Sequence, residues 1–390
     1  MRDRFFKALM VMLAMAGLAG TAGAQSFRDE GLAAFRRGDY KTAIAAYEKS
    51  LATALKAFKE GDMEIVERRA ELGEVYRAAG RWNDAITQLD YVWKRARYDA
   101  ETTMHWTSHE GDMAMGYAEK LGKACLGAGR YEDGIMVFKV TLADAERVAR
   151  TEDAMQFAGL LADTQFLANH PDDAAASVRH AAELSTREGV NKALQARALA
   201  QLASLCLRHR RADAAKPMAE RAVALALEMF PADSLTVSQY EETLGSALLA
   251  TGELDEAEKH LSAASAAILK HETTQSPRLV EVLLDESSLA LKRDKNDDAV
   301  ARALEALDIA KKRYPEGHPK IAICLTQVAR CRMALNEPEK AKPLYTEALV
   351  ILNKTLGEDD PETLEVRQEV IRFGPRLNPA KSSAARGPKK

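Results

Sequence analysis

Pro277, Pro319 and Pro361 stand 42 residues apart, and Ala257, Ala299 and Ala341 keep the same step. Two chemically unrelated residue types sharing one period define an internal repeat, and a repeat constrains architecture before any single residue does. The alanine position extends back as Ala43, Ala85, Gly134, Ala174 and Ala215, with steps of 42, 49, 40, 41 and 42 residues up to Ala257. A residue this small recurs where two helices cross closely and a larger side chain would part their backbones.

Two further slots keep step with this marker. Five residues before it stand Gly38, Gly80, Gly129 and Gly252, with Asn169, Arg210, Asp294 and Asn336 in the other repeats. Glycine and asparagine suit the left-handed residue that ends one helix before the next; arginine and aspartate suit it less well. Twelve residues before the marker lies a second small position: Gly31, Gly73, Gly122, Ala162, Ala203, Gly245, Ser287 and Ala329. Each unit therefore reads as a first helix, a tight turn and a second helix. Asp360-Pro361 and Ser276-Pro277 read as an N-cap followed by proline at the first helical position, and His318-Pro319 as the same device with a weaker cap. In the last full repeat, Ala341, Leu344, Tyr345, Ala348 and Leu352 share one face of a helix expected over Glu339 to Leu356.

These slots resemble a tetratricopeptide repeat. The matching residues are Leu72-Gly73, Tyr76, Gly80, Trp82 and Ala85, and again Leu121-Gly122, Gly129 and Tyr131. The step is longer than the usual unit of about 34 residues, and the extra length is roughly one turn for each helix of the pair. The longer step resembles the kinesin-light-chain class of these repeats. Its marks are Ala341-Lys342-Pro343-Leu344-Tyr345 with Ala348-Leu349, the linker from Leu356 to Pro361, and Ala215-Lys216-Pro217-Met218 with Ala222-Val223. The resemblance covers about residues 27–373. It implies an all-α, right-handed α-solenoid of tandem helix-turn-helix units, about eight in number, closed by an unpaired helix from Glu362 to Phe373.

The N-terminus is a different object. Arg2, Arg4 and Lys7 precede an apolar run from Ala8 to Leu18, and small residues follow to Ala22-Gly23-Ala24. That is the pattern of a secretory signal over residues 1–24, cleaved before Gln25. The run is short for a bilayer span, and no cysteine follows it to carry a lipid. The expectation is an exported chain, periplasmic or extracellular, with no integral membrane segment after cleavage. Residues 25–373 hold the solenoid, and 374–390 read as a disordered basic tail with Arg376, Lys381, Arg386, Lys389, Lys390 and no acid. The whole chain has formal charge −3. Charges of both signs are interspersed, so nothing in the sequence points to a nucleic-acid face, and no nucleic-acid partner is expected. Cys324 and Cys331 are seven residues apart on one helix, about 10.5 Å by helical rise and too far for a disulfide. Cys125 and Cys206 occupy one packing slot in different repeats, so four buried thiols are expected.

Catalytic motifs are missing: there is no phosphate-binding glycine loop, no zinc-protease helix motif, no nucleophile elbow and no paired CxxC. The reading is therefore non-enzymatic, with no cofactor. His105 and His109, four apart with Glu101 and Glu110 nearby, set up a metal-dependent alternative, but two ligands without a third do not close a site. Trp93 and Trp106 fall in the long step between Ala85 and Gly134, where packing is favoured over recognition. Trp82 fills the aromatic slot shared by Tyr40 and Tyr131 and reads as core.

The distributed signal lies eight residues before the marker, where the first helices carry Leu126, Phe166, Leu207, Leu249, Leu291 and Met333. The resemblance implies that this slot faces the concave surface, where a protein or peptide partner lies. A polar column three residues earlier (Glu74, Lys123, Asp163, Ser204, Ser246, Ser288, Arg330) would flank it. The same periodicity also fits packing against the neighbouring first helix, and both readings stay open. Glu119 and Lys123 stand where some co-chaperone members carry carboxylate-capturing residues, which disfavours a chaperone-tail adaptor. The functional expectation is an exported interaction scaffold. Its alternative is a self-associating structural component of an envelope complex.

Overall fold

The computed structural model describes residues 23–377, except 105, 107, 108 and 359. The described residues are helical throughout, with no strand. The first helices of the repeats are α1 (residues 23–36), α3 (Met63–Ala78), α5 (His109–Gly127), α7 (Thr151–Leu167), α9 (Lys192–Arg208), α11 (Leu235–Thr251), α13 (Leu279–Lys292) and α15 (Pro319–Ala334). The second helices are α2 (Tyr40–Ala57), α4 (Trp82–Thr103), α6 (Tyr131–Arg147), α8 (Pro171–Ser185), α10 (Ala212–Leu227), α12 (Leu254–His271), α14 (Asn296–Arg313) and α16 (Pro338–Thr355), and α17 (Pro361–Leu377) follows unpaired. Packing divides the chain into two compact units, one ending at Ser177 and one beginning at Val178, so the boundary falls inside α8. The expected signal, apart from its last two residues, and the tail beyond 377 lie outside the described residues.

The turn between the two helices of each repeat has one conformation. Gly38, Gly80, Gly129 and Gly252 have φ between 69° and 90°, and Asn169, Arg210, Asp294 and Asn336 have φ between 57° and 62°. All eight slots five residues before the marker are thus left-handed, including the arginine and the aspartate. The next residue's N–H closes the turn on a carbonyl of the preceding helix, as from Arg211 to Cys206 at 2.7 Å and Lys295 to Ala290 at 2.9 Å. The strain of a non-glycine residue, on the order of 1–2 kcal/mol, is outweighed by these bonds and by the packing they permit.

The marker alanines are fully buried. At the second small position a Cβ on Gly73 would stand 2.8 Å from Leu89 Cγ, and one on Gly245 would stand 2.7 Å from Leu261 Cδ2. The first helix presents bare backbone and the second presses a large side chain onto it. In the second unit one core cluster then runs continuously from Leu261 to Val366, joining α12 through α17.

The entries to the first helices differ in detail. His318 caps α15, its ring Nδ1 accepting the Lys320 N–H at 3.2 Å, and Asp360 accepts the Glu362 N–H at 2.9 Å ahead of α17. Pro277 departs from the expected first helical position. It lies in the turn before α13, where Ser276 Oγ accepts the Arg278 N–H at 3.1 Å and the helix begins two residues later. The long step is taken up by α4, which has 22 residues against 15 to 18 in the other second helices. The final helix passes the expected end at Phe373 and reaches Leu377.

All four cysteines are buried free thiols. Burial pushes Cys125 and Cys206 up to about 11 and Cys324 up to about 12. Iodoacetamide should therefore label none of them in the native protein and all four in denaturant; labelling of a native cysteine contradicts this packing. Gly245→Leu should destabilise the second unit by about 1–3 kcal/mol through overpacking, although helix propensity alone would favour leucine. Exposed Ala301→Leu on α14 should stay within roughly ±0.5 kcal/mol. Denaturant unfolding of the two variants checks both, and equal stabilities would remove the close-crossing argument.

Candidate functional site

The first helices of the second unit converge on a cavity of about 990 Å³. Five elements line it: α9 with Ser204, Leu207 and Arg208; α11 with Tyr240, Glu242, Ser246 and Leu249; α13 with Glu281, Asp285 and Lys292; α15 with Lys320; and α17 with Glu362. Successive pairs turn far enough that α17 comes back opposite α9. Arg210, the left-handed residue after α9, reaches Glu365 on α17 at 3.0 Å. Glu365 also takes Arg330 at 2.8 Å, and Arg330 Nε donates to Glu369 at 2.9 Å. Arg330 sits deep between α15 and α17, and the charge of Glu369 and its hydrogen bond outweigh burial and keep it cationic.

Charge inside the cavity is unevenly compensated. Lys320 donates to Glu281, and that partner overcomes burial to raise the lysine. Lys292 Nζ donates to the Leu249 carbonyl at 2.8 Å, near the C-terminus of α11, where a cation is favoured. Glu362 is pushed up by burial and then by Asp360, with Lys320 and Arg208 opposing. Glu242 and Asp285 differ from these. Ser246 Oγ donates to Asp285 and lies 3.4 Å from a Glu242 oxygen, so one hydroxyl touches both carboxyls. Burial is the main cause that holds both far above the usual carboxylate range. For Glu242 the charges of Asp285 and Glu281 add to it; for Asp285 Ser246 opposes and Glu281 and Glu286 add to it.

The predicted ladder divides. Leu207 and Leu249 line this cavity. Leu249 and Met333 are buried, at 6% and 4% exposure, and Leu291 and Met333 join the core of α12–α17. Leu126 and Phe166 belong to the first unit and are half-buried; Leu126 lies over Gly134, where a Cβ would stand 3.1 Å from its Cδ1. In the polar column, Ser204 and Ser246 reach the cavity, whereas Ser288 accepts from Gln327 at 3.0 Å and Arg330 is held by the final helix. The carboxyls were missed. Glu242 lies four residues before Ser246, and Asp285 and Glu281 three and seven before Ser288. Extending the polar column by one and two turns would have found them.

The other candidates resolve differently. His105 lies outside the described residues; His109 is exposed at the start of α5. Among the described residues no group of three or more His, Cys, Asp or Glu is placed to hold a metal ion. Trp93 and Trp106 are buried, with Trp106 Nε1 donating to Glu101 at 3.0 Å, whereas Trp82 is half-buried against Gly127. No helix among the described residues is long and apolar enough to cross a membrane.

No family model matches this chain, and no curated protein matches it. Solved structures do. The apo form of the quorum sensor NprR from B. thuringiensis superposes with a TM-score of 0.52 at 15% identity, over 90% of this chain and 93% of that one. BtubC (BKLC) from P. vanneervenii gives 0.46 at 20% identity, over 58% and 92%. A tetratricopeptide repeat protein from Parabacteroides merdae gives 0.45 at 12%, over 88% and 98%. The likeness is one of fold: the chain is an all-α solenoid of tetratricopeptide type.

The raised carboxyls make a signed prediction. Protons are held more tightly in the folded state than in the unfolded one, so this pair lowers stability as pH rises from the ordinary carboxylate pKa, about 4, through the native values. The groups lining the cavity around it are Arg197 and Arg208 of α9, Ser246, Thr243 and Gln239 of α11, Glu281 and Lys292 of α13, Lys320 of α15 and Glu362 of α17, with Glu286 of α13 acting on Asp285. Glu242→Gln removes one member. Its melting temperature should exceed that of wild type by roughly 2–4 °C at about pH 9, where a gain of about 1 kcal/mol has that effect, and by less at about pH 5. A gain independent of pH would contradict the assignment.

Proposed function

We propose that this chain is an exported, non-enzymatic protein-interaction scaffold that holds a peptide segment of a partner in the cavity of its second unit. The convergence of five helices on one cavity carries this reading. Equivalent faces of α9, α11 and α13 supply an apolar wall from Leu207 and Leu249 and a polar floor from Ser204, Ser246 and Asp285. An extended segment meets a new helix every few residues and gains many modest contacts rather than one strong one. The lining has no histidine or cysteine, so no Ser–His or Cys–His pair, and no candidate metal cluster among the described residues. Export rests on the residues themselves: Arg2, Arg4 and Lys7, the apolar run from Ala8, and Ala22-Gly23-Ala24.

Ser204 is exposed and lines the cavity, so Ser204→Trp fills it without entering the core. Peptides selected from a random displayed library on the purified protein should bind this variant at least about tenfold more weakly, by fluorescence anisotropy, with an unchanged melting temperature. Failure to select any peptide, or equal binding by the plugged variant, would sink the cavity reading. Separately, the intact mass of the protein secreted from a bacterial host should correspond to a chain beginning at Gln25. A chain that retains Met1 would contradict cleavage.

A further inference from the structure

Glu242 accepts only long hydrogen bonds in the cavity. Its two neighbouring hydroxyls, Thr243 Oγ1 and Ser246 Oγ, both lie 3.4 Å from its oxygens, at the limit of a hydrogen bond. Each hydroxyl has one proton and spends it elsewhere, Thr243 on the Gln239 carbonyl at 3.1 Å and Ser246 on Asp285. When Glu242 is ionised no committed donor is left for it, although it is half-buried in the cavity wall. Lys320 acts on it only at a distance, because its ammonium is bound to Glu281. Burial raises Asp285, Ser246 opposes, and the further carboxylates Glu281 and Glu286 add to the rise. The Ser246 and Thr243 hydrogen bonds bring hydroxyls, and no cation, to the two carboxyls, and a half-buried pair of this kind costs stability when ionised unless something supplies the missing charge.

We propose that the cavity takes a peptide carrying a lysine or arginine, with its cationic head set between Glu242 and Asp285 and its stem along Leu207 and Leu249. The inference rests on the peptide-binding reading above and names the residue that the peptide must contain. One hydroxyl, Ser246 Oγ, contacts both carboxyls, so a single small cationic head reaches both. An ammonium or guanidinium brings the donors that Glu242 lacks. The surroundings favour a side chain over a bare ion. The cavity, about 990 Å³, is far larger than an ion needs, and its wall of Leu207, Leu249 and Tyr240 matches the methylene stem of a long basic residue. Lys320 and Arg208 sit towards Glu281 and Glu362, so that side of the cavity is charge-balanced while the Glu242–Asp285 side is acidic, and the difference sets the direction of the bound chain.

The test uses the full-length protein and four labelled heptapeptide libraries, identical except that the central residue is lysine, arginine, norleucine or glutamate. On wild type, the lysine and arginine libraries should bind about tenfold tighter than norleucine, a modest return for a partly buried charge pair. On the double variant Glu242→Gln, Asp285→Asn, that preference should vanish while norleucine binding is unchanged. Thermal melting of the variant confirms that it is folded. Equal binding of lysine and norleucine by wild type, or a preference for glutamate, overturns the inference and leaves peptide binding intact. If none of the four libraries binds, both readings fall together. A fifth probe is the chain's own segment 378–390, which carries Lys381, Arg386, Lys389 and Lys390. If that peptide displaces the lysine library and its loss from the protein strengthens library binding, the occupant is the chain itself and an external partner is overturned.

Discussion

The helix pairs of this chain meet where one partner has almost no side chain, and the rest of the structure depends on that closeness. Gly31, Gly73, Gly122 and Gly245 are opposed by Tyr47, Leu89, Phe138 and Leu261, each 16 residues further on. The volume removed from the first helix is returned by the second. Where the first position grows to Ser287, the residue 16 further on shrinks to Ala303, and both are fully buried. Interiors pack at crystal-like density, so such exchanges are how a repeat drifts in sequence while its crossing geometry stays constant. The marker alanine acts at the same crossings. A solenoid curves through small identical rotations, and a crossing that varied from pair to pair would send each helix to a different place.

That constraint explains why so much of the fold is legible in one sequence. The small positions, the turn and the apolar face each recur, so a weak signal in one repeat is supported by stronger ones in its neighbours. Arg210 and Asp294 illustrate this. Neither favours a left-handed backbone, yet the period places both at the turn, and both adopt it. Less was legible where a single repeat departs from the rest. Pro277 keeps the period of Pro319 and Pro361 but sits before its helix, because Ser276 closes a local turn there. The seven extra residues of the long step give no sign of which helix absorbs them, and the structure puts them largely into α4.

The cavity was less legible than the helices, for a related reason. Slots eight and eleven residues before the marker lie on one face of every first helix, and that much follows from helical period alone. Which of those faces meet one another depends on rotation accumulated over four repeats, and no local pattern encodes it. Arg210 and Glu365 are 155 residues apart and belong to different structural slots, yet they pair. The final helix gathers the consequences. By packing on α15 it draws Arg330 out of the polar column and into ion pairs with Glu365 and Glu369, and Met333 is taken into the same core. The column and the ladder therefore lose their last members to the cap and keep Ser204, Ser246, Leu207 and Leu249 at the cavity.

Glu242 and Asp285 stand out against this background. Elsewhere in the second unit, charges near the axis of the array are matched: Lys320 with Glu281, and Arg330 with Glu365 and Glu369. A sequence that can pair Arg330 so completely could as easily have placed an alanine or a serine at 242. Folding gives no reason to keep an unmatched carboxyl pair there, since an apolar or neutral residue would serve the core better. The periodic slots that build the solenoid are occupied by residues the crossings require. A costly departure from them in the cavity where five helices of the second unit converge is better explained by what the cavity holds than by what holds the cavity together.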